Sequence, residues 1–151
     1  MKRTPIKKKS PLKKKPKKKS KQKLATIQKR RMDTLWSKII RRSGKCLKCG
    51  KTDGRLNAHH TITRSALATR WDIQNGIPLC CRCHTFGNDS AHRNPHAFSV
   101  WLEDTHPERW VWIRENRWRD TKIDLDYTEQ FLKDVWQKLE CGSSKGKTIA
   151  P

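Results

Sequence analysis

Apolar residues are scarce in this sequence, at 33% of its 151 residues. A chain with so little to bury packs only part of itself, and its fold needs support beyond a hydrophobic core. No apolar run approaches the length that spans a bilayer, which excludes a helical membrane protein. The basic start, "MKRTPIKKKSPLKKK", has no apolar stretch behind it and does not read as a secretory signal. The expected location is the cytoplasm, with no membrane partner. Acids are scarce as well: 14 Asp and Glu stand against 36 Lys and Arg, for a net charge of +22. Such an imbalance points to a polyanionic partner.

The positive charge is concentrated but not confined. Residues 1–23 hold 13 bases and no acid, residues 24–100 hold 14 bases and 4 acids, and residues 101–151 hold 9 and 10. The first segment, with Lys7, Lys8, Lys9, Lys13, Lys14 and Lys15 in triplets broken by Ser and Pro, is expected to be a disordered tail. Its role reads first as a nucleic-acid-binding arm, with a nuclear-import signal or a solubility tag as alternatives.

Residues 24–43 have apolar side chains near helical spacing (Leu24, Ile27, Met32, Leu35, Trp36, Ile39, Ile40) and Gly44 as a stop, which predicts an amphipathic helix. Beyond Pro95 three further stretches read as helices. They begin near His96, at Pro107 and near Asp126, the last with Phe131, Leu132, Val135, Trp136 and Leu139 inward and Gly142 as its stop. Five of the seven tryptophans fall between Trp101 and Trp136, and most are expected to pack these helices. The division expected is a tail (1–23), a helix (24–43), a core (44–100), a helical extension (101–141) and a flexible tail (142–151).

Residues 45–92 lack helical periodicity and are rich in Cys and His. "CLKCG" supplies Cys46 and Cys49; "LCCRCH" supplies Cys80 and Cys83. In a reducing compartment two C-x-x-C knuckles favour a tetrahedral structural zinc site over disulfides or a redox dithiol. Cys81 and Cys141 fall outside that pattern.

The interval between the knuckles holds His59 and His60 side by side, then Asn75 in "QNG", and His84 follows Cys83 directly. In these residues the sequence resembles the HNH (His-Me finger) endonucleases, in the subgroup with a four-cysteine zinc site, and is loosely similar to phage NinG-like recombination endonucleases. The resemblance covers roughly residues 44–100. It implies an α+β fold: a small ββα-metal core flanked by one N-terminal and two or three C-terminal helices. It further implies that His59 and His84 bind a catalytic divalent cation, Mg2+ or another, that His60 is the general base, and that Asn75 braces the loop orienting it. A third ligand is expected at His92 in preference to Asn88. Arg64, Arg70, Arg82 and Arg93 are candidates to hold flanking phosphates, with solvated surface charge the alternative for each.

The function implied is metal-dependent hydrolysis of DNA in phage or mobile-element recombination, replication or packaging. One site nicks one strand, so a double-strand break would call for a homodimer, a recombination or replication partner, or a second encounter. The competing reading is a non-catalytic zinc protein that binds DNA or RNA.

Overall fold

The computed structural model describes residues 21–144, with side chains to residue 141; the Lys-rich triplets at 7–9 and 13–15 and residues 145–151 lie outside the described residues. Four α-helices and a two-stranded antiparallel sheet follow in the order α1 (Lys21–Arg41), β1 (Leu56–His60), β2 (Gly76–Cys80), α2 (Pro95–Thr105), α3 (Pro107–Asn116) and α4 (Leu125–Ser144). A five-residue π-helical turn, Arg82–Phe86, follows β2 directly. This is a mixed helix and small-sheet fold, as the sequence implied.

The sheet separates two cores. Strand register pairs Leu56 with Cys80, His59 with Ile77 and His60 with Gly76. Successive side chains on a strand take opposite faces. On one face Ile77 and Leu79 join Phe98 and Leu102 of α2, Ile113 of α3, and Cys46 in a buried cluster. On the other, Ala58 packs against a second cluster of Met32, Trp36, Ile39 and Ile40 from α1, Trp71, and Leu132 from α4. Gly76 marks the closest approach between the sheet and α1. A Cβ there would stand 2.2 Å from Ile40 Cδ1 and 2.8 Å from the Trp36 ring, so the helix seats only because this position has no side chain.

Local signals explain most element ends. Gly44 adopts φ +65° and donates to Arg41 O at 3.1 Å, closing α1. Asn94 accepts from Ala97 N at 3.1 Å to cap α2, whose first residue is Pro95. The helices differ from expectation in three respects. First, α1 begins at Lys21, inside the segment read as tail, and α4 runs through Gly142 to Ser144, so that glycine is no stop. Second, the apolar stripes outrun their cover: Leu24 and Ile27 on α1, and Phe131 and Leu139 on α4, are exposed although α1 packs on the sheet and α4 packs on α1. Third, Trp118 is 80% exposed, whereas Trp36 and Trp71, outside the Trp-rich stretch, are the most buried tryptophans.

Candidate functional site

The two cysteine knuckles come together. Sγ atoms of Cys46, Cys49, Cys80 and Cys83 all lie within 4.8 Å of one another, and Cys49 to Cys80 is 3.7 Å. Thiolates on a tetrahedral zinc at about 2.3 Å stand about 3.8 Å apart, so the donor set fits that ion. The first knuckle closes at Gly50, which takes φ +73° and donates to Cys46 O at 2.9 Å. In the second, Cys83 N donates to Cys80 Sγ at 3.5 Å. Burial raises the Cys46 thiol, but the backbone N–H groups of Cys80 and Cys49 outweigh it and bring it to about 7. Burial and the neighbouring Cys49 and Cys80 push Cys83 up, the penalty of crowding sulfurs that a cation removes. Cys81 and Cys141 are exposed and outside the cluster.

A second cluster is made of histidines. Ring nitrogens of His59, His84 and His92 also lie within 4.8 Å of one another. The Nε2 atoms of His84 and His92 are 3.1 Å apart. Imidazoles ligating one ion at about 2.1 Å have nitrogens separated by roughly 3.0–3.4 Å, so the three rings fit a shared cation. Each comes from a different local structure. His59 is on β1 with its ring edge-on to Phe98 at 5.4 Å. His84 sits in the π-helical turn, and its Nδ1 lies 3.0 Å from Thr85 Oγ1. Donation from Nδ1 to that hydroxyl leaves Nε2 as a lone pair. His92 is in the following loop, clamped because His92 N donates to His84 O at 3.1 Å. Burial, then the neighbouring His84, His92 and His60, hold His59 down to about 3, so its ring is neutral at pH 7. Asn88 is elsewhere: it lines a groove beside the cysteines with exposed Arg82.

His60 points to the opposite face from His59. Its ring stacks on Trp36, with centroids 3.9 Å apart and planes 16° off parallel. His60 Nε2 is 2.9 Å from Arg70 O. A carbonyl only accepts, so Nε2 carries the proton and Nδ1 is left with a lone pair. The carbonyl is itself fixed, since the Arg70 guanidinium donates to Asp33 through Nε (2.9 Å) and Nη2 (2.7 Å). Asp33 also accepts from Trp71 Nε1 at 2.9 Å and from Arg64 Nη2 at 2.6 Å. Burial opposes ionisation of Asp33, but the Arg70 and Arg64 contacts prevail and hold it below the usual carboxylate range. Burial also lowers His60, partly offset by the Arg70 carbonyl.

Asn75 is fully buried and spends its amide on the loop between the strands. Oδ1 accepts from Ile62 N (2.7 Å) and Thr61 Oγ1 (2.9 Å), while Nδ2 donates to Thr69 O (2.9 Å) and Ile62 O (3.2 Å). It braces the loop carrying Arg70 and does not line the cleft.

His59, His60, His84, His92 and Arg64 line one cleft of about 560 Å3. Of the other expected phosphate contacts, Arg70 is committed to Asp33 and Arg93 is exposed outside the cleft lining. Sequence reasoning passed over Asp33 and Trp36, which hold the His60 side of the site from α1. A signal existed: Asp33 is the sole acid between residues 24 and 52, inside "KRRMDTLW".

Residues 46–89 match the family model described as HNH endonuclease, a minority of the chain that stops short of His92 and excludes α1. No curated protein and no solved structure matches the chain. The matched stretch holds both strands, both knuckles, His59, His60, Asn75 and His84, so the HNH pattern in residues 46–89 coincides with the small sheet and with a four-cysteine cluster compatible with zinc.

Proposed function

We propose that the protein is a metal-dependent endonuclease that hydrolyses DNA phosphodiester bonds, with His60 as general base and His59, His84 and His92 as ligands of the catalytic cation. The observation that carries this reading is the state of His60. Its Nε2–H is engaged by Arg70 O, leaving Nδ1 to accept a proton, in a cleft shared with three clustered imidazoles. Nδ1 takes a proton from water as the water oxygen bonds to phosphorus. The bond from phosphorus to the 3′ oxygen breaks, and that oxygen leaves with a proton from solvent. A divalent cation on the three imidazoles supplies charge neutralisation at the phosphate and at the departing oxygen. An all-nitrogen donor set suits Mn2+, Ni2+, Co2+ or Zn2+ better than Mg2+, which prefers oxygen.

The setting that fits a small nicking enzyme is phage or mobile-element DNA processing, and this forms part of the proposal. The test is relaxation of supercoiled plasmid in Mn2+, Ni2+ or Mg2+. Wild type is expected to nick, and H60A to lose at least ~100-fold, in line with removal of a general base. Equal nicking by both would remove His60 from its role. DNA binding with no nicking in any of the metals would favour a non-catalytic zinc module instead.

A further inference from the structure

A second groove opens on the α1 side of His60. It has a volume of about 350 Å3 and lies between α1 and β1, lined by Ser37, Arg41, Arg55, Ala58, His60 and Arg64 among others. Ala58, His60 and Arg64 also line the histidine cleft, so the two depressions are continuous across the base. Arg55 in turn also lines the groove beside the cysteine cluster, where Lys48, Lys51 and Arg82 stand.

The charges in this second groove are not all spent on the fold. Asp33 is saturated by Arg70, Arg64 and Trp71. Arg41 uses Nε on Ser37 O at 3.0 Å, which leaves the outer guanidinium nitrogens unbonded among the described residues. Arg55 is exposed, and its side chain has no ion-pair or hydrogen-bond partner among the described residues. Two arginines with open donors, converging on a groove continuous with the histidine cleft, match the planar, bidentate chemistry of phosphate recognition.

We propose that Arg41 and Arg55 bind the phosphodiester backbone of duplex DNA flanking the scissile phosphate, guiding it along the α1–β1 groove past His60. This rests on the nuclease reading only for the word scissile; the backbone contacts stand without it. The path makes α1, which lies outside the matched family segment, part of the substrate interface.

The test uses the full chain, with R41A/R55A compared against R114A/K138A, which removes the same charge from exposed positions on α3 and α4. Binding of a fluorescein-labelled duplex is followed by anisotropy over a salt series without added divalent metal. The groove variant is expected to bind at least ~10-fold more weakly and to lower the slope of log K against log salt by about 2, one unit per lost phosphate contact. In the plasmid assay it should raise KM with kcat little changed. Binding by R41A/R55A equal to wild type, or an equal loss in R114A/K138A, would overturn the proposal. Loss of binding in R41A/R55A alone, with no nicking by wild type, would uphold the groove and sink the nuclease reading.

Discussion

Replacing Asp33 by Asn tests whether α1 holds the base in place. The carboxylate accepts four hydrogen bonds, and the bidentate one from Arg70 is between side chains each 16% exposed. Asn keeps the volume but turns an NH2 toward a guanidinium whose remaining partners are Arg64 O at 3.4 Å and the Trp71 ring. Charge-assisted bonds of this kind contribute about 1.5–3 kcal/mol, and the Trp71 bond about 1 kcal/mol. Arg64 is 61% exposed in its pair with Asp33, so its share is discounted to under about 1 kcal/mol. The sum, about 2.5–5 kcal/mol, corresponds to a fall in Tm of roughly 10–20 °C for a domain of this size. Thermal unfolding by circular dichroism reads it directly. Because Asp33 is held below its ordinary value, its contribution is complete above the unfolded carboxyl pKa of about 3.9 and is lost only as pH falls through the still lower folded value. The gap between wild type and D33N should therefore be constant from pH 8 to pH 5. Plasmid nicking should fall as well, since the Arg70 carbonyl loses its anchor. A Tm within about 2 °C of wild type, or a gap that shrinks inside that pH window, would refute the ionic lock.

Three further outcomes are expected. H92A should lower nicking by ~100-fold or more while N88A stays near wild type; the reverse order would reassign the third ligand. Elemental analysis should find one tightly held zinc per chain in wild type and in H59A, and none in C80S, which should also lose cooperative unfolding; zinc retained by C80S would dissolve the four-sulfur site. G76A should cost about 1–3 kcal/mol by overpacking against Ile40, and the I40A background should recover much of that cost. Additive losses in that double variant would place the strain elsewhere.

The parts of the site that were legible in the sequence are those encoded by short intervals. Two C-x-x-C knuckles, a His pair, an Asn in a turn and a His after the last Cys are each fixed by local backbone geometry, and the structure groups the cysteines and three of the histidines accordingly. His92 was readable only as a preference, because it depends on how the loop after Phe86 folds back through His92 N to His84 O. The roles of Asp33 and Trp36 were hard to read because their partners, Arg70 and His60, lie 37 and 24 positions away; only the isolation of Asp33 among bases hinted at one. Helical periodicity likewise identified the faces of α1 and α4. It says nothing of where a neighbour ends, so Leu24, Ile27, Phe131 and Leu139 stand uncovered.

The strand that carries His59 and His60 works as a partition. His59 belongs to the α2 side with Phe98, while His60 rests on Trp36 on the α1 side. The two halves of the cleft can consequently fail one at a time. On the proposed reading, damage to α1 would leave a protein that still loads its cation yet does no chemistry, and damage around Phe98 would leave a well-set base with nothing to work beside. Metal content and activity would then be separate properties, inherited from two different cores.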